Sequence, residues 1–129
     1  MTEQINQEKL NELKKQAKNW AMKNLVGKKV FQKDIKAYIF FTSSGIDHSI
    51  YAKSYEEKIA MIYNAVELIE ISTLFKIEQD RRGRIDIKAI YKFVANRNYK
   101  RKSYFVYLIV RETKQGNFYY DHGIIKEKP

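Results

Sequence analysis

The chain is short, basic and free of cysteine: it has 129 residues, no Cys and a formal charge of +10 at pH 7. A chain of this length can bury roughly two-thirds of its unfolded surface around one core, so we predict a single domain over residues 1–129. The lack of cysteine excludes disulfide frameworks, thiolate metal sites and cysteine nucleophiles. The polar, acid-containing N-terminus does not resemble a signal peptide, and the longest apolar run, Tyr104 to Val110, is too short to span a bilayer. We therefore expect a soluble protein with no membrane partner.

The positive charge is concentrated in one part of the chain. Residues 81–114 hold eleven lysines and arginines but only two acids. Tyrosines are interleaved with these cations, and aromatic rings stack on bases while lysine and arginine neutralise phosphates. A solvated basic face is the alternative, but the clustering favours a surface that binds RNA or DNA. The cations expected to make that surface are Arg81, Arg82, Arg84, Lys92, Arg97, Lys100, Arg101 and Lys102.

Apolar residues recur at helical spacing near the N-terminus, so residues 1–26 are predicted to form a helix that lies over a sheet. Thr2 or Asn6 can cap this helix, and Gly27 can end it. Two extended runs rich in aromatic and β-branched residues follow, and this composition predicts short strands. These two extended runs are Val30–Phe31 and Ala37–Thr42.

A turn rich in hydroxyl side chains is predicted next. The segment Thr42–Gly45 favours a turn, which would place His48 on a loop or at the start of a short helix. Ser54 and Glu57 have the spacing of a helix capping box, and apolar residues then recur at helical spacing to about Ile71. The pattern therefore predicts a second long helix over the same sheet.

Three β-rich runs complete the chain. Residues 85–93 alternate between apolar and polar, as in a half-exposed strand, and residues 104–110 are apolar throughout, as in a central strand covered on both faces. A hairpin turn at 112–116 leads to a last strand at 117–125, in which Gly123 could mark a bulge or bend. The predicted fold class is α+β, with two long helices packed on an antiparallel sheet of roughly four to five strands.

The two histidines of the chain each follow an aspartate, in Asp47-His48 and Asp121-His122. A serine of the preceding turn, His48 and Asp121 could form a hydrolase triad, but no Gly-x-Ser-x-Gly nucleophile elbow is present. The Asp-His pairs also carry ligand types that suit zinc or manganese, but the strong metal signature, two histidines on one helix turn, is missing. We therefore predict no resident metal and no cofactor.

Cleavage of RNA without a metal needs a base for the ribose 2′-hydroxyl, an acid for the leaving 5′-oxygen and a cation for the phosphorane. His48 and His122 suit the first two roles, because imidazole titrates near neutral pH. Tyr120 could orient the phosphate or donate a proton. An aspartate beside each histidine would raise its pKa if the two side chains turned toward each other. The candidate cations are Arg111, Lys92 and Lys102.

The order of elements and three short motifs resemble a known family. The motifs are Ser-Gly-Ile-Asp-His at 44–48, Arg-Glu at 111–112 and Gly-Asn-Phe-Tyr-Tyr-Asp-His at 116–122. Over residues 27–125 the chain resembles the small nuclease-like domains carried by phages and conjugative elements. These include the third of the large polyvalent-protein-associated domains and its neighbours in the barnase/EndoU/colicin/RelE-type ribonuclease superfamily.

This resemblance implies a toxin-type or phage-borne ribonuclease in the cytoplasm of a bacterial host cell. His48 and a residue from Tyr120 to His122 would then be the acid and base. A non-catalytic protein of a phage or mobile element, which binds nucleic acid or blocks a host defence machine, would have similar sequence features. The expected partners are RNA or DNA, with a host nucleoprotein or a cognate acidic inhibitor protein as the alternatives for a protein partner.

Overall fold

The computed structural model describes residues 2–51 and 56–129, with side chains from Gln7 onward. The helices are α1 (Thr2–Asn24), α2 (Ser43–Tyr51), α3 (Glu56–Met61) and α4 (Ala65–Ile71), with a 3₁₀ turn at Ile62–Asn64. The strands are β1 (Lys29–Gln32), β2 (Ala37–Phe40), β3 (Thr73–Glu78), β4 (Ile87–Tyr99), β5 (Lys102–Thr113) and β6 (Phe118–Glu127). Within the described ranges, no helix combines the length and apolar character needed to cross a membrane.

The six strands form one sheet in the order β1-β2-β6-β5-β4-β3. Strands β2 and β6 run parallel, with Ile39 opposite Phe118 and Phe40 opposite Tyr119. The other four pairs of neighbouring strands are antiparallel. The predicted fold class is therefore wrong about the sheet, which is mixed and has six strands, and about the second long helix. A parallel pair joins segments that are distant in the chain, and the local pattern of β2 carries no sign that β6 is its partner.

The predicted second long helix is a series of short helices. The 3₁₀ turn follows α3, and Asn64 leaves the helical region (φ −114°, ψ 16°) before α4 begins. Asparagine tolerates such a break because its helix propensity is low. Here the side-chain oxygen of Asn64 accepts a hydrogen bond from Arg97 at 2.9 Å. Ser54, the serine of the predicted capping box, lies outside the described residues.

The hydroxyl-rich segment begins a helix. Gly45 donates its backbone N–H to the side-chain oxygen of Thr42 at 3.2 Å, which caps the first turn of α2. His48 therefore lies within a nine-residue helix, beyond its first turn. Ile46 and Ile50 of the same helix are buried in the core, and their packing fixes the direction in which His48 projects.

One face of the sheet carries the hydrophobic core. Val106, Leu108 and Val110 of β5 belong to one cluster with buried residues of all four helices. On the opposite face, Phe105 and Tyr107 are only partly buried. The prediction that residues 104–110 are covered on both faces is therefore wrong at Phe105 and Tyr107 of the second face, because the helices pack against the first, but Ile109 on the second face is buried.

Candidate active site

Helix α2 packs against β6 beyond the point where β2 stops pairing with that strand. The β2–β6 pairing ends at Tyr119. Gly45 permits the contact, because a Cβ at this position would clash with the backbone oxygen of Tyr120. Ser49 completes it by accepting the backbone N–H of Gly123 at 3.3 Å. These contacts bring His48, on the same helix, to the strand that carries the second histidine.

Strand β6 has an irregularity at Asp121. The residues on either side of it, Tyr120 and His122, pair with consecutive residues of β5, so Asp121 has no partner in the register. In a regular strand the side chains of Asp121 and His122 would point to opposite faces, whereas a bulge re-aims one of them. Gly123, the predicted bulge position, pairs regularly, and the bulge lies two residues earlier. The irregularity therefore lets Asp121 and His122 meet.

One carboxylate oxygen holds both histidines. The Nδ1 atom of His122 lies 2.7 Å from Asp121 Oδ2, and the Nδ1 atom of His48 lies 3.3 Å from the same oxygen. The centroids of the two imidazole rings are 4.5 Å apart. With each Nδ1 facing the carboxylate, Nε2 is the ring nitrogen left to exchange a proton with a bound molecule. We call His48, Asp121, His122 and Arg111 the histidine cluster.

Arg111 of β5 completes the histidine cluster. Its Nη1 atom donates to Asp121 Oδ1 at 3.0 Å, so the two carboxylate oxygens have different partners. The guanidinium also lies over the ring of Tyr119, 5.5 Å from the ring centroid. Arg111 and Tyr119 are direct neighbours in the β5–β6 register. The sheet therefore fixes a cation beside the two imidazoles.

The charges of the cluster decide its protonation. Burial alone would raise the pKa of Asp121, but the hydrogen bond to His122 and the positive charges of His122, His48 and Arg111 lower it to about 2. Burial lowers the pKa of His48 from its ordinary value, and repulsion from His122 lowers it further, against the attraction of Asp121. At neutral pH Asp121 is therefore ionised and the neutral form of His48 is favoured.

The carboxylate of Asp47 does not pair with His48, the histidine that follows it in the sequence. This carboxylate pairs with Lys18 of α1 at 3.0 Å. Neighbouring helix residues project roughly 100° apart, so the side chains of Asp47 and His48 diverge. The carboxylate that faces His48 is Asp121, the neighbour of the other histidine. One shared aspartate thus replaces the two separate Asp-His pairs, and the expected increase in the pKa of His48 is not found.

Tyr120 lies on the core side of β6. Its residue is 2% exposed, its ring packs on Phe41 with centroids 5.4 Å apart, and its hydroxyl lies 2.7 Å from Ser49 Oγ. Burial raises the pKa of this hydroxyl to about 12. The position of Tyr120 therefore fits a role in packing α2 on the sheet, and we leave it out of the proposed chemistry.

Three of the predicted phosphate-binding cations lie in the loop between β3 and β4, and we call Arg81, Arg82 and Arg84 the near patch. The charge of Arg82 contributes to the lowered pKa of His48. The pKa of Arg84 is raised, mainly by its hydrogen bond to Asp80 and further by Asp121. Arg84 is held by Asp80, whereas Arg81 and Arg82 are exposed and form no ion pair within the described part of the chain. The near patch thus lies within electrostatic range of the histidine cluster.

The far patch, defined as Arg97, Lys100, Arg101 and Lys102, lies at the other end of the β4–β5 hairpin. About nine residues of β5, or roughly 30 Å, separate it from Arg111. Among the residues the structure describes, Arg101 is the cation of this patch that makes no ion pair. Acidic partners hold the others and Lys92: Glu67 for Arg97, Glu56 for Lys100, Glu127 for Lys102 and Glu78 for Lys92. The predicted basic surface is therefore divided into two patches, and Lys92 belongs to neither.

Three side chains of the histidine cluster could hold a metal ion. His48, Asp121 and His122 each offer one ligand atom, and these atoms lie within 4.8 Å of one another. Imidazole and carboxylate ligands suit zinc and other first-row transition metals. No other group of this kind occurs among the residues that were described.

Sequence reasoning missed the contributions of Ser49 and Tyr119. Ser49 lies one residue before the buried Ile50 and three after the buried Ile46, so helical spacing would have placed it on the inner face of α2. The sequence predicts a turn at Thr42–Gly45 and leaves His48 on a loop or at the start of a short helix, so it does not indicate a helix face for Ser49. Tyr119 carries no comparable signal, since its contact with Arg111 depends on the β5–β6 register.

Comparison with known proteins identifies the family. A family model described as large polyvalent protein-associated domain 3 matches residues 8–120, which is most of the chain. No curated protein and no solved structure gives a significant match. The family match confirms the expected association with phages or mobile elements, whereas ribonuclease activity stays a prediction. The chain belongs to the large polyvalent protein-associated domain 3 family.

Proposed function

We propose that the protein is a ribonuclease of toxin or phage type that cleaves RNA without a metal ion and leaves a 2′,3′-cyclic phosphate. The observation that carries this proposal is the position of two imidazoles on one carboxylate, beside a fixed guanidinium. A base, an acid and a cation for the phosphorane are the parts that this reaction needs.

His48 is the proposed base, because its lowered pKa favours the neutral form. It takes the proton of the ribose 2′-hydroxyl as that oxygen bonds to phosphorus. The bond from phosphorus to the 5′-oxygen then breaks, and protonated His122 gives its proton to the leaving oxygen. The products are a 2′,3′-cyclic phosphate and a free 5′-hydroxyl, with the proton count balanced between the two histidines.

Asp121 and Arg111 support this reaction in different ways. An aspartate bonded to Nδ1 of an imidazole fixes the orientation and tautomer of the ring, and Asp121 faces Nδ1 of both. Arg111 stabilises the negative charge that builds up on the phosphorane. Its guanidinium has five N–H donors, so the bond to Asp121 leaves others for phosphate.

The test is incubation of the purified protein with total RNA and with tRNA in EDTA, followed by analysis of the new RNA ends. We expect 2′,3′-cyclic phosphate ends and a loss of about 10²–10⁴ in rate for His48→Ala and for His122→Ala. Asp47→Asn is the matched control, because it changes the aspartate that faces Lys18. RNA that stays intact both with and without divalent ions would exclude the nuclease.

A nucleic-acid-binding protein without catalytic activity, such as one that blocks host defence, is the second candidate. Arg81 and Arg101 favour it, because both are exposed and neither pairs with an acid in the described ranges. This candidate predicts salt-dependent gel shifts with RNA or DNA that survive combined replacement of His48 and His122 by alanine. Absence of any shift at low salt would leave an acidic protein as the partner of the basic patches.

A further inference from the structure

The three side chains to which the acid/base chemistry is assigned are also a set of metal donors. Two imidazoles and one carboxylate offer ligand atoms within 4.8 Å of one another, and His48 Nδ1 and His122 Nδ1 both face Asp121 Oδ2. Two histidines and one carboxylate form a common facial ligand set for divalent transition metals, and three protein ligands with an open fourth position are typical of accessible zinc sites.

The two donor separations that involve the carboxylate fit such an ion with little movement. Zinc bonds of about 2.0–2.2 Å in a tetrahedral site put neighbouring donor atoms on the order of 3.3 Å apart. The separation between His48 Nδ1 and Asp121 Oδ2 is 3.3 Å, and that between His122 Nδ1 and the same oxygen is 2.7 Å. His122 would have to move outward by about half an ångström, which rotation of its side chain can supply.

The surroundings support the donor set. Ligating carboxylates usually accept a further hydrogen bond on their second oxygen, and Arg111 already donates to Asp121 Oδ1. The side chains of His48, His122 and Asp121 are 32%, 22% and 14% exposed, so an ion can reach them from solvent. Asp121 lies on a strand bulge and His48 on a packed helix, so both are held in place by the fold.

We propose that His48, Asp121 and His122 bind one zinc ion, and that bound zinc stops RNA cleavage. The first part rests on the geometry alone. The second part rests on the proposed function, since it assigns the two imidazoles to proton transfer. Zinc would take the Nδ1 lone pair of each ring and leave the remaining ring proton on Nε2. His48 would then have no free lone pair to act as a base, and His122 would lose the second proton, on Nδ1, that makes its Nε2 proton acidic.

Calorimetry with zinc chloride tests the first part on the full chain, purified without a histidine tag because such a tag binds zinc itself. We expect one zinc per chain at neutral pH, no comparable binding of magnesium, and weaker zinc binding as the pH falls and protons compete. Asp121→Asn and His122→Ala should each weaken zinc binding by about a hundredfold or more, since loss of an outer-shell partner alone costs 10–100-fold.

Asp47→Asn is the matched control and should bind zinc as the unchanged protein does, because Asp47 pairs with Lys18 and not with the cluster. Circular dichroism of each variant distinguishes a lost ligand from a lost fold. Absence of a one-to-one zinc complex in the folded protein, or equal zinc affinity in Asp121→Asn and Asp47→Asn, overturns the site.

The effect on cleavage is measured separately, by adding zinc at increasing concentration and then removing it with EDTA. We expect inhibition with the midpoint at the dissociation constant from calorimetry, and full recovery of activity after EDTA. Zinc binding with unchanged cleavage overturns the inhibition but keeps the site. Zinc binding in a protein that never cleaves RNA keeps the site and refutes the proposed function instead.

Discussion

At the scale of single residues, Asp121 sets the arrangement of the candidate site. It faces both histidines through Oδ2 and the guanidinium of Arg111 through Oδ1. Its pKa, which burial alone would raise, is lowered to about 2, mainly by the hydrogen bond and charge of His122, so Asp121 is ionised at neutral pH. One ionised carboxylate thus orients the proposed base, acid and cation together, which the two separate Asp-His pairs of the sequence did not indicate.

The first prediction concerns pH. The proposed base His48 must be neutral, so kcat/KM for RNA should rise with pH through the pKa of His48, which lies below its ordinary value of 6.5. Arg82 lowers that pKa by charge repulsion, so Arg82→Ala should shift this limb of the profile to higher pH by on the order of a few tenths of a unit.

The control for this experiment is Arg81→Ala, which removes the exposed neighbour of Arg82, whereas the positive charges that lower the pKa of His48 are those of His122, Arg82 and Lys58. Both variants remove one positive charge from the same loop. An equal shift in the two pH profiles would show that the effect is one of net charge and not of Arg82 itself.

The second prediction concerns Tyr120, whose hydroxyl bonds to Ser49 in the core. Tyr120→Phe should lower the free energy of unfolding by about 1 kcal/mol, the typical contribution of one hydrogen bond, and should leave RNA cleavage within about twofold. Urea unfolding and cleavage kinetics measure the two effects. A loss of cleavage without a loss of stability would show that Tyr120 takes part in the reaction. The stability control is Tyr38→Phe, at an exposed tyrosine.

At the scale of elements, the site depends on how α2 meets β6. The helix contributes His48 and the strand contributes Asp121 and His122, so any displacement of α2 separates the base from its carboxylate. The contact is close because Gly45 has no side chain to hold the helix away from the strand. The bulge at Asp121 then turns the carboxylate toward the helix.

The third prediction tests this contact. Gly45→Ala adds a methyl group against the backbone oxygen of Tyr120, which cannot move without disturbing β6. We expect a loss of about 1–3 kcal/mol in the free energy of unfolding and a loss of about 10²-fold in cleavage, because overpacking costs stability and displacement of His48 misaligns the base. Thermal unfolding and cleavage assays measure both.

The stability control is Ser43→Ala, at an exposed position in the first turn of α2. This change should alter the free energy of unfolding by less than about 0.5 kcal/mol, as is usual for surface substitutions. A Gly45→Ala protein with unchanged stability would show that α2 has more room beside β6 than the structure gives it.

At the scale of the whole molecule, the cations predicted to bind nucleic acid, apart from Lys92, fall into the near patch and the far patch. The near patch lies beside the histidine cluster, and the far patch lies roughly 30 Å away along β5. A single strand that contacts both must extend over several nucleotides, since successive phosphates on a strand are only a few ångströms apart. The two patches should therefore contribute differently to short and long RNA.

The fourth prediction follows from this division. Arg101→Glu, in the far patch, should weaken binding of long RNA and reduce the salt dependence of that binding by about 0.7 in the slope, but should not change cleavage of a dinucleotide. Arg81→Glu, in the near patch, should affect both substrates. Filter binding at several salt concentrations and dinucleotide kinetics measure the two effects; identical results for both variants would contradict the division.

The sequence by itself determined several elements and the two histidines that form the candidate pair. Local spacing and composition predicted helix α1, the strands that end the chain and the excess of positive charge. Helices and strands can be predicted in this way because their apolar residues recur with a characteristic period along the sequence. The prediction from sequence was wrong where the local helix propensity was low, as at Asn64, which interrupts the second predicted helix.

The tertiary structure alone decided which residues meet. The parallel pairing of β2 with β6, the bulge at Asp121 and the contact of α2 with β6 all join segments that are distant in the chain. The local period of apolar residues cannot predict such contacts, since they depend on how whole helices and strands pack. The pairing of His48 with Asp121, and of Asp47 with Lys18, therefore emerged only once the helices lay on the sheet.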